Sequence, residues 1–414
     1  MANPIPFAPS IPDSKVSIPD TLLHSFENLH LNNGIGNGYA ISPYLTAPAT
    51  SNTGGILAAP NLQLPSKGFL PSTNHFGGWE TTNAVASVPS ESTIILRSAL
   101  TQFGSQKLQQ YLAYKDSAVI NLVFESVMDS IFQIMTDQFG HHVFGNLIPL
   151  CNQNQLNMIA TMIVMHHHTF IEVCLDRYGS PSVKRLIKLG AKSDYLDRAI
   201  VRALHLGFLH LMVHKTGCHV ILQCMETLSI EDNELLYEET IKNFFDLATD
   251  VNGCLALNCV IDVIKGPRRN DLLEAIADLA VCLSQDPYGN FVVQKLLGLQ
   301  YPNITKKICY LLKDHYARIS MLKGGSHVVE RCLQSSERGY AVEAFVECQG
   351  QVLVNVARDQ FGNYVIQTAL KETKHADREL HDRLVMKLRS HRLDLQRGYG
   401  RNVYNLINVN QDSY

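Results

Sequence analysis

The chain has 414 residues, enough for two or three ordinary domains or for one extended repeat domain with a tail. Its 46% hydrophobic content supports a substantial core, and the formal net charge of -3 carries no global basic signature, so any nucleic-acid partner must be met by local Lys and Arg patches or by contacts to bases. The ten cysteines include no CxxC pair, and several, such as Cys254 and Cys259, stand in apolar runs, the usage of a reduced intracellular protein.

The first residues show no basic n-region followed by an apolar stretch, and no run approaches the ~18 uninterrupted apolar residues that span a bilayer. A soluble chain with no membrane association is expected, and a cytoplasmic one, because no basic cluster forms a nuclear signal. Residues 1–90 hold eleven of the sixteen prolines, with many Ser, Asn and Gly and no sustained apolar period. They read as a disordered leader. The only tryptophan, Trp79, falls there in HFGGWE and is given no role.

From Ser90 onward apolar residues recur at helical spacing, as in Ile131, Ile134 and Met135, then Val143, Phe144, Leu147 and Ile148. Residues 91–414 are therefore expected to form a single helical domain. Gly104, Gly140, Gly179, Gly217, Gly253, Gly289, Gly325, Gly362 and Gly400 follow one another at gaps of 36, 39, 38, 36, 36, 36, 37 and 38 residues. A period in this range means stacked helical units sharing one continuous core. Apolar segments precede the glycines, as at 272–283 and 352–357, and others follow them. Asp137, Asp176, Asp286 and Asp359 stand three residues before their glycines, where a short carboxylate satisfies free backbone N–H groups at a turn. Glycine itself is expected to supply a backbone conformation that other residues resist. The expected architecture is an all-α solenoid of about eight units, with Gly400 (GYGRNVYNLI) marking a terminal half-unit or cap.

Within the segment 359–370 (DQFGNYVIQTAL), a helix opening at the glycine puts Asn363 and Gln367 on one side with Tyr364 beside them, while Val365, Ile366, Ala369 and Leu370 face elsewhere. Close relatives of this segment occur at 286–297 (DPYGNFVVQKLL) and 137–148 (DQFGHHVFGNLI).

The repeat length, the turn glycine and the segments GNYVIQ, GNFVVQ and GSHVVE resemble the Pumilio/PUF family of RNA-binding repeats, over roughly residues 95–410. The resemblance implies a curved α-helical solenoid in which each repeat reads about one base of single-stranded RNA. It implies that the first and fifth residues after the glycine touch the base edge and that the second stacks between bases. Asn363, Tyr364 and Gln367, like Asn290, Phe291 and Gln294, then suit uracil, because amides offer donor and acceptor together and the rings offer flat faces. Ser326, His327 and Glu330 suit guanine, whose adjacent N–H donors match an acceptor-only carboxylate. Read antiparallel to the RNA, as the family does, these repeats spell U, G, U.

Toward the N-terminus the pattern decays. Ser105 and Gln109 keep the first and fifth positions of an adenine reader, with Gln106 in the stacking place. Cys254, Leu255 and Asn258 follow Gly253, and Cys218, His219 and Leu222 follow Gly217. Ser180, Pro181 and Lys184 follow Gly179, and His141, His142 and Gly145 follow Gly140, so that the last repeat has no fifth side chain. Discrimination is expected to concentrate at the 5′ end of the RNA site. Outside residues 1–100 the chain has 32 basic and 33 acidic residues, but residues 358–414 carry ten basic against seven acidic, a local excess at the same end.

The run His166, His167, His168 points in different directions on a helix and has no Cys or carboxylate at ligand spacing, so no metal is expected. With no nucleophile elbow, P-loop or dinucleotide fingerprint, neither catalysis, a cofactor nor a small-molecule substrate is expected. The implied partner is single-stranded RNA in the 3′ untranslated regions of messenger RNA, together with translational repression or decay factors. A second reading stays open: a helical-repeat scaffold that binds protein and has lost most RNA recognition.

Overall fold

The computed structural model describes residues 90–189 and 193–408. The leader expected over 1–90, with Trp79, lies outside the described residues except for Ser90. Among the described residues the only regular elements are helices.

Two rows of helices run through the stack. One row comprises Gln102–Ala113, Gly140–Leu147, Gly179–Lys188, Cys218–Thr227, Gly253–Val263, Gly289–Gly298, Gly325–Leu333, Gly362–Ala376 and Gly400–Asn408, each packed on the next. A back row runs from Gln153–Met165 through Asp194–Leu206, Glu234–Thr249, Pro267–Asp278, Pro302–Leu311 and Arg338–Glu347 to Arg378–Ser390. Short helices such as Ile131–Thr136, Tyr316–Ser320 and Gly350–Arg358 lead into the glycine row. The apolar positions read from the sequence fill the space between: Val292, Val293, Leu296, Val328, Val329, Val365, Ile366 and Ala369 are fully buried. Each such aliphatic side chain contributes about 1.5–3 kcal/mol relative to exposure, and a gap here would open one repeat from its neighbour. The stretch Ser117–Thr136 is long and apolar enough to cross a bilayer by composition, yet Val123, Phe124, Val127, Ile131 and Ile134 are core residues of the stack.

The aspartates act as expected. Asp359 Oδ1 accepts the backbone N–H groups of Phe361 and Gly362 at 2.8 and 2.9 Å, and Asp137, Asp176 and Asp286 do the same at their own turns. Asp250 forms an equivalent cap on Asn252 and Gly253 that the sequence reading passed over. At Gly217 the acceptor is an imidazole: His214 Nδ1 takes the N–H groups of Thr216 and Gly217, both at 3.2 Å.

The glycines behave differently from the expectation. Among the described glycines only Gly266 and Gly398 have positive φ. The repeat glycines are needed for close approach instead. A Cβ on Gly140 would lie 2.8 Å from the Ile134 carbonyl oxygen, and on Gly253 or Gly325 it would lie 2.6 Å from that of Leu247 or Ile319. In each case the obstacle is backbone six residues earlier, so only hydrogen fits where the helix turns in from its predecessor.

Candidate nucleic-acid interface

Along the glycine row the three reading positions occupy three depths. The second position faces out: Tyr364 is 46% exposed and Phe291 38%, Gln106, His142 and Pro181 are exposed, and His327, His219 and Leu255 are half-buried. The fifth position is half-buried at Gln367, Glu330, Gln294, Asn258, Lys184 and Gln109, and buried at Leu222 and Gly145. The first position is buried at Ser105, Ser180, Cys218, Cys254, Asn290, Ser326 and Asn363 and half-buried at His141.

That depth changes what the first residue does. Asn363 is 0% exposed; its Nδ2 donates to the carbonyls of Asp359 and Gln360 at 2.9 and 3.0 Å. Its Oδ1 accepts from Gln367 Nε2 at 2.9 Å and from Asn402 Nδ2 of the next helix at 3.3 Å. The sequence reading placed Asn363 on the open face beside Gln367; the structure keeps them on one side but sets Asn363 behind, against the following repeat. Asn290 repeats the arrangement, donating to Asp286 and Pro287 and accepting from Gln294 Nε2 at 2.9 Å. Both asparagines thus fix which way a glutamine amide points. With one N–H spent on the asparagine, each glutamine keeps Oε1 and a second N–H, an adjacent acceptor and donor, for a ligand.

Ser105 works in the same way, donating to the Phe139 carbonyl at 2.8 Å and accepting from Gln109 Nε2 at 3.1 Å. At Gly325 the scheme differs. Ser326 donates to the Lys323 carbonyl at 3.2 Å, and the Glu330 carboxylate is held by its neighbours: His327 Nδ1 lies 3.1 Å from Oε2, and Thr368 Oγ1 donates to Oε1 at 3.3 Å. Cys218 and Cys254 point their thiols at the carbonyls of Lys215 and Val251, and burial pushes their pKa values up to about 12 and about 11. They remain neutral packing groups with a weak donor.

Sequence reasoning missed the sixth position after the glycine. Thr368 reaches back from its own helix to Glu330, the fifth residue of the preceding repeat. Asn146 does the same for Gln109, donating from Nδ2 to Oε1 at 3.2 Å. The signal lay in the sequence only as a residue one place beyond each reader, and the fold alone brings it to the neighbouring repeat. At the N-terminal end an aromatic and basic cluster sits on the same face: His141 stacks on Tyr178 with ring centroids 4.9 Å apart, and Arg177 lies over the Tyr178 ring at 4.5 Å. Among the described residues no group of three or more His, Cys, Asp or Glu side chains converges as a metal site would require.

The profile of the Pumilio-family RNA binding repeat matches residues 130–164, 207–241, 243–277, 280–302, 319–338 and 353–380, stretches that contain six of the repeat glycines. Pumilio homolog 18 of Arabidopsis thaliana is 32% identical over 280 residues, covering 67% of this chain and 85% of that protein. The chain belongs to the Pumilio family. Pumilio homolog 12 of the same plant is also 32% identical, but its match covers 67% of this chain and 46% of that protein, so this Pumilio-family chain spans about half the length of that relative. The Puf4 RNA binding domain bound to an HO endonuclease RNA 3′ UTR recognition sequence superposes with a TM-score of 0.65 at 25% identity, over 75% of this chain and 98% of that one. The RNA-binding domain of yeast Puf5p bound to MFA2 RNA shares the fold, with a TM-score of 0.65 at 17% identity over 77% of this chain and 97% of that one. The expected curved Pumilio-type helical solenoid is thus the fold of this chain.

Proposed function

We propose that the chain binds single-stranded RNA along the glycine row, prefers sites containing UGU, and acts in the cytoplasm in post-transcriptional control of messenger RNA through its 3′ untranslated region, without catalysis. The observation that carries this reading is the recurrence of one device: a half-buried fifth residue, held from behind or beside, under an exposed or half-buried flat side chain. Bases splayed from the strand stack on Tyr364, His327 and Phe291, and their edges meet Gln367, Glu330 and Gln294. The two glutamines present acceptor and donor together, complementary to uracil. Glu330 presents only acceptors, complementary to the N–H edge of guanine. The Puf4 domain bound to a 3′ UTR recognition sequence supports the choice of ligand class.

The test is a swap of base preference. Glu330→Gln with Ser326→Asn gives the Gly325 repeat the pair found at Gly289 and Gly362, and the preference at the second base is expected to move from guanine to uracil. Retained guanine preference would refute the assignment of repeats to bases. One observation favours the second reading, a protein-binding scaffold: a cleft of about 330 Å³ at the back row, lined by Asn270, Glu274, Tyr301, Pro302, Asn303 and Ile304. On that reading, replacing Asn363, Tyr364 and Gln367 with Ala leaves the cellular role intact.

A further inference from the structure

The Gly140 repeat has no fifth side chain of its own, and the space is not empty. Gly145 is buried in the helix Gly140–Leu147, and a Cβ placed on it would overlap Arg185 Nη1 and stand 2.9 Å from Arg185 Cζ. Arg185 comes from the next helix, Gly179–Lys188, where it is the sixth residue after the glycine. This is the position from which Thr368 reaches Glu330 and Asn146 reaches Gln109. In those two repeats the sixth residue holds a reader; here it takes the reader's place. Arg185 is exposed and forms no ion pair with any described residue, and burial first, then His141 and Arg185, hold the His142 pKa below its ordinary value. The exposed imidazole of His142 stands in the stacking position of the same repeat.

We propose that Arg185 is the base-reading residue of the Gly140 repeat, supplied by the neighbouring repeat through the notch at Gly145. A guanidinium has donors only, in a planar fork, so it selects a base edge with two adjacent acceptors. Cytosine offers N3 and O2 on its Watson–Crick edge, and guanine offers O6 and N7 on its Hoogsteen edge. Uracil and adenine alternate donor and acceptor on the edges they offer. Counting one base per repeat from Gly362 back through Gly325, Gly289, Gly253, Gly217 and Gly179, the Gly140 repeat meets the seventh nucleotide of a site whose first three are UGU. The proposal rests on the RNA-reading account above.

The experiment is equilibrium binding of the full chain to UGU-initial octamers that differ only at the seventh base, with ACA-initial octamers alongside. Cytosine or guanine is expected to bind about 5- to 150-fold tighter than uracil and adenine, the discrimination of one bidentate contact. Arg185→Ala is expected to abolish that preference and keep the preference for UGU over ACA. Gly145→Gln, which fills the notch and displaces Arg185, is expected to do the same. If guanine is the preferred base, 7-deazaguanine lowers affinity to the level of adenine. An Arg185→Ala protein weakened equally on all four bases, with the salt slope reduced by about 1, marks a phosphate contact and overturns the proposal. A chain that distinguishes UGU from ACA but is indifferent at the seventh base refutes the role of Arg185 alone. A chain that does not distinguish UGU from ACA refutes the underlying account instead.

Discussion

Replacing Asn363 with Ala separates a residue that holds a reader from one that reads. The side chain is fully buried and makes four hydrogen bonds: two donated to the carbonyls of Asp359 and Gln360, and two accepted from Gln367 and Asn402. Their losses differ in weight. The Asp359 carbonyl keeps the backbone N–H of residue 363, and the amides of half-buried Gln367 and exposed Asn402 can turn to water. The Gln360 carbonyl loses its side-chain donor, and the amide leaves a small void. The loss of that donor at a part-buried turn, together with the lost packing of a fully buried amide, is expected to cost about 1–3 kcal/mol in Asn363→Ala. Gln367→Ala leaves Asn363 Oδ1 its bond to Asn402 and removes a half-exposed side chain, so its cost stays below about 1 kcal/mol, the net worth of an ordinary hydrogen bond. Urea unfolding followed by circular dichroism, run on both variants, decides the matter. Asn363→Ala proving no more destabilising than Gln367→Ala would refute the positioning role.

Other outcomes follow from the turns and from two ionisable groups, half-buried His214 and buried Asp197. Gly289→Ala forces a Cβ to 3.0 Å from the Leu283 carbonyl oxygen and is expected to cost about 1–3 kcal/mol by denaturant unfolding, the usual penalty of overpacking. Burial, with His210 and Lys215 nearby, holds the His214 pKa below its ordinary value, as befits a ring whose Nδ1 must accept. The cap it makes is therefore complete above the ordinary histidine pKa and lost as pH falls through the lowered one. His214→Asp, which caps with a carboxylate, is expected to flatten that acid-side loss, measured as unfolding midpoint against pH. Asp197 has the opposite sign: burial first, then Asp232 and Asp194, raise its pKa to about 6, and its Oδ1 has no hydrogen-bond partner. Its contribution is favourable in the protonated form and is lost as pH rises toward and past about 6. Asp197→Asn is expected to gain stability over the natural chain above that pH and to show little difference below the ordinary carboxylate range.

The repeat was legible because eight of its nine glycines answer to one steric need, the approach of each helix to the carbonyl six residues before it. A sequence cannot tell that need from a need for positive φ, and the second was the wrong reason. The aspartate caps were legible because the cap is local, spanning three residues. His214 escaped because imidazole is an unusual acceptor at a helix start, although it stands at the same offset. The burial of Asn363, Asn290 and Ser105 was not legible, since it depends on groups of the following repeat: Asn402, Gly324 and the Phe139 carbonyl. For the same reason Thr368, Asn146 and Arg185 were invisible as site residues, because their targets lie 37 to 40 positions back along the chain.

The central claim is that the C-terminal repeats select bases through Gln367, Glu330 and Gln294. Its most direct measurement is the dissociation constant for a UGU-containing single strand against one in which UGU is replaced by ACA, at one stated salt concentration. At about 1–3 kcal/mol for each altered base, the account predicts UGU binding at least about 100-fold tighter. Equal affinity for the two strands would contradict it.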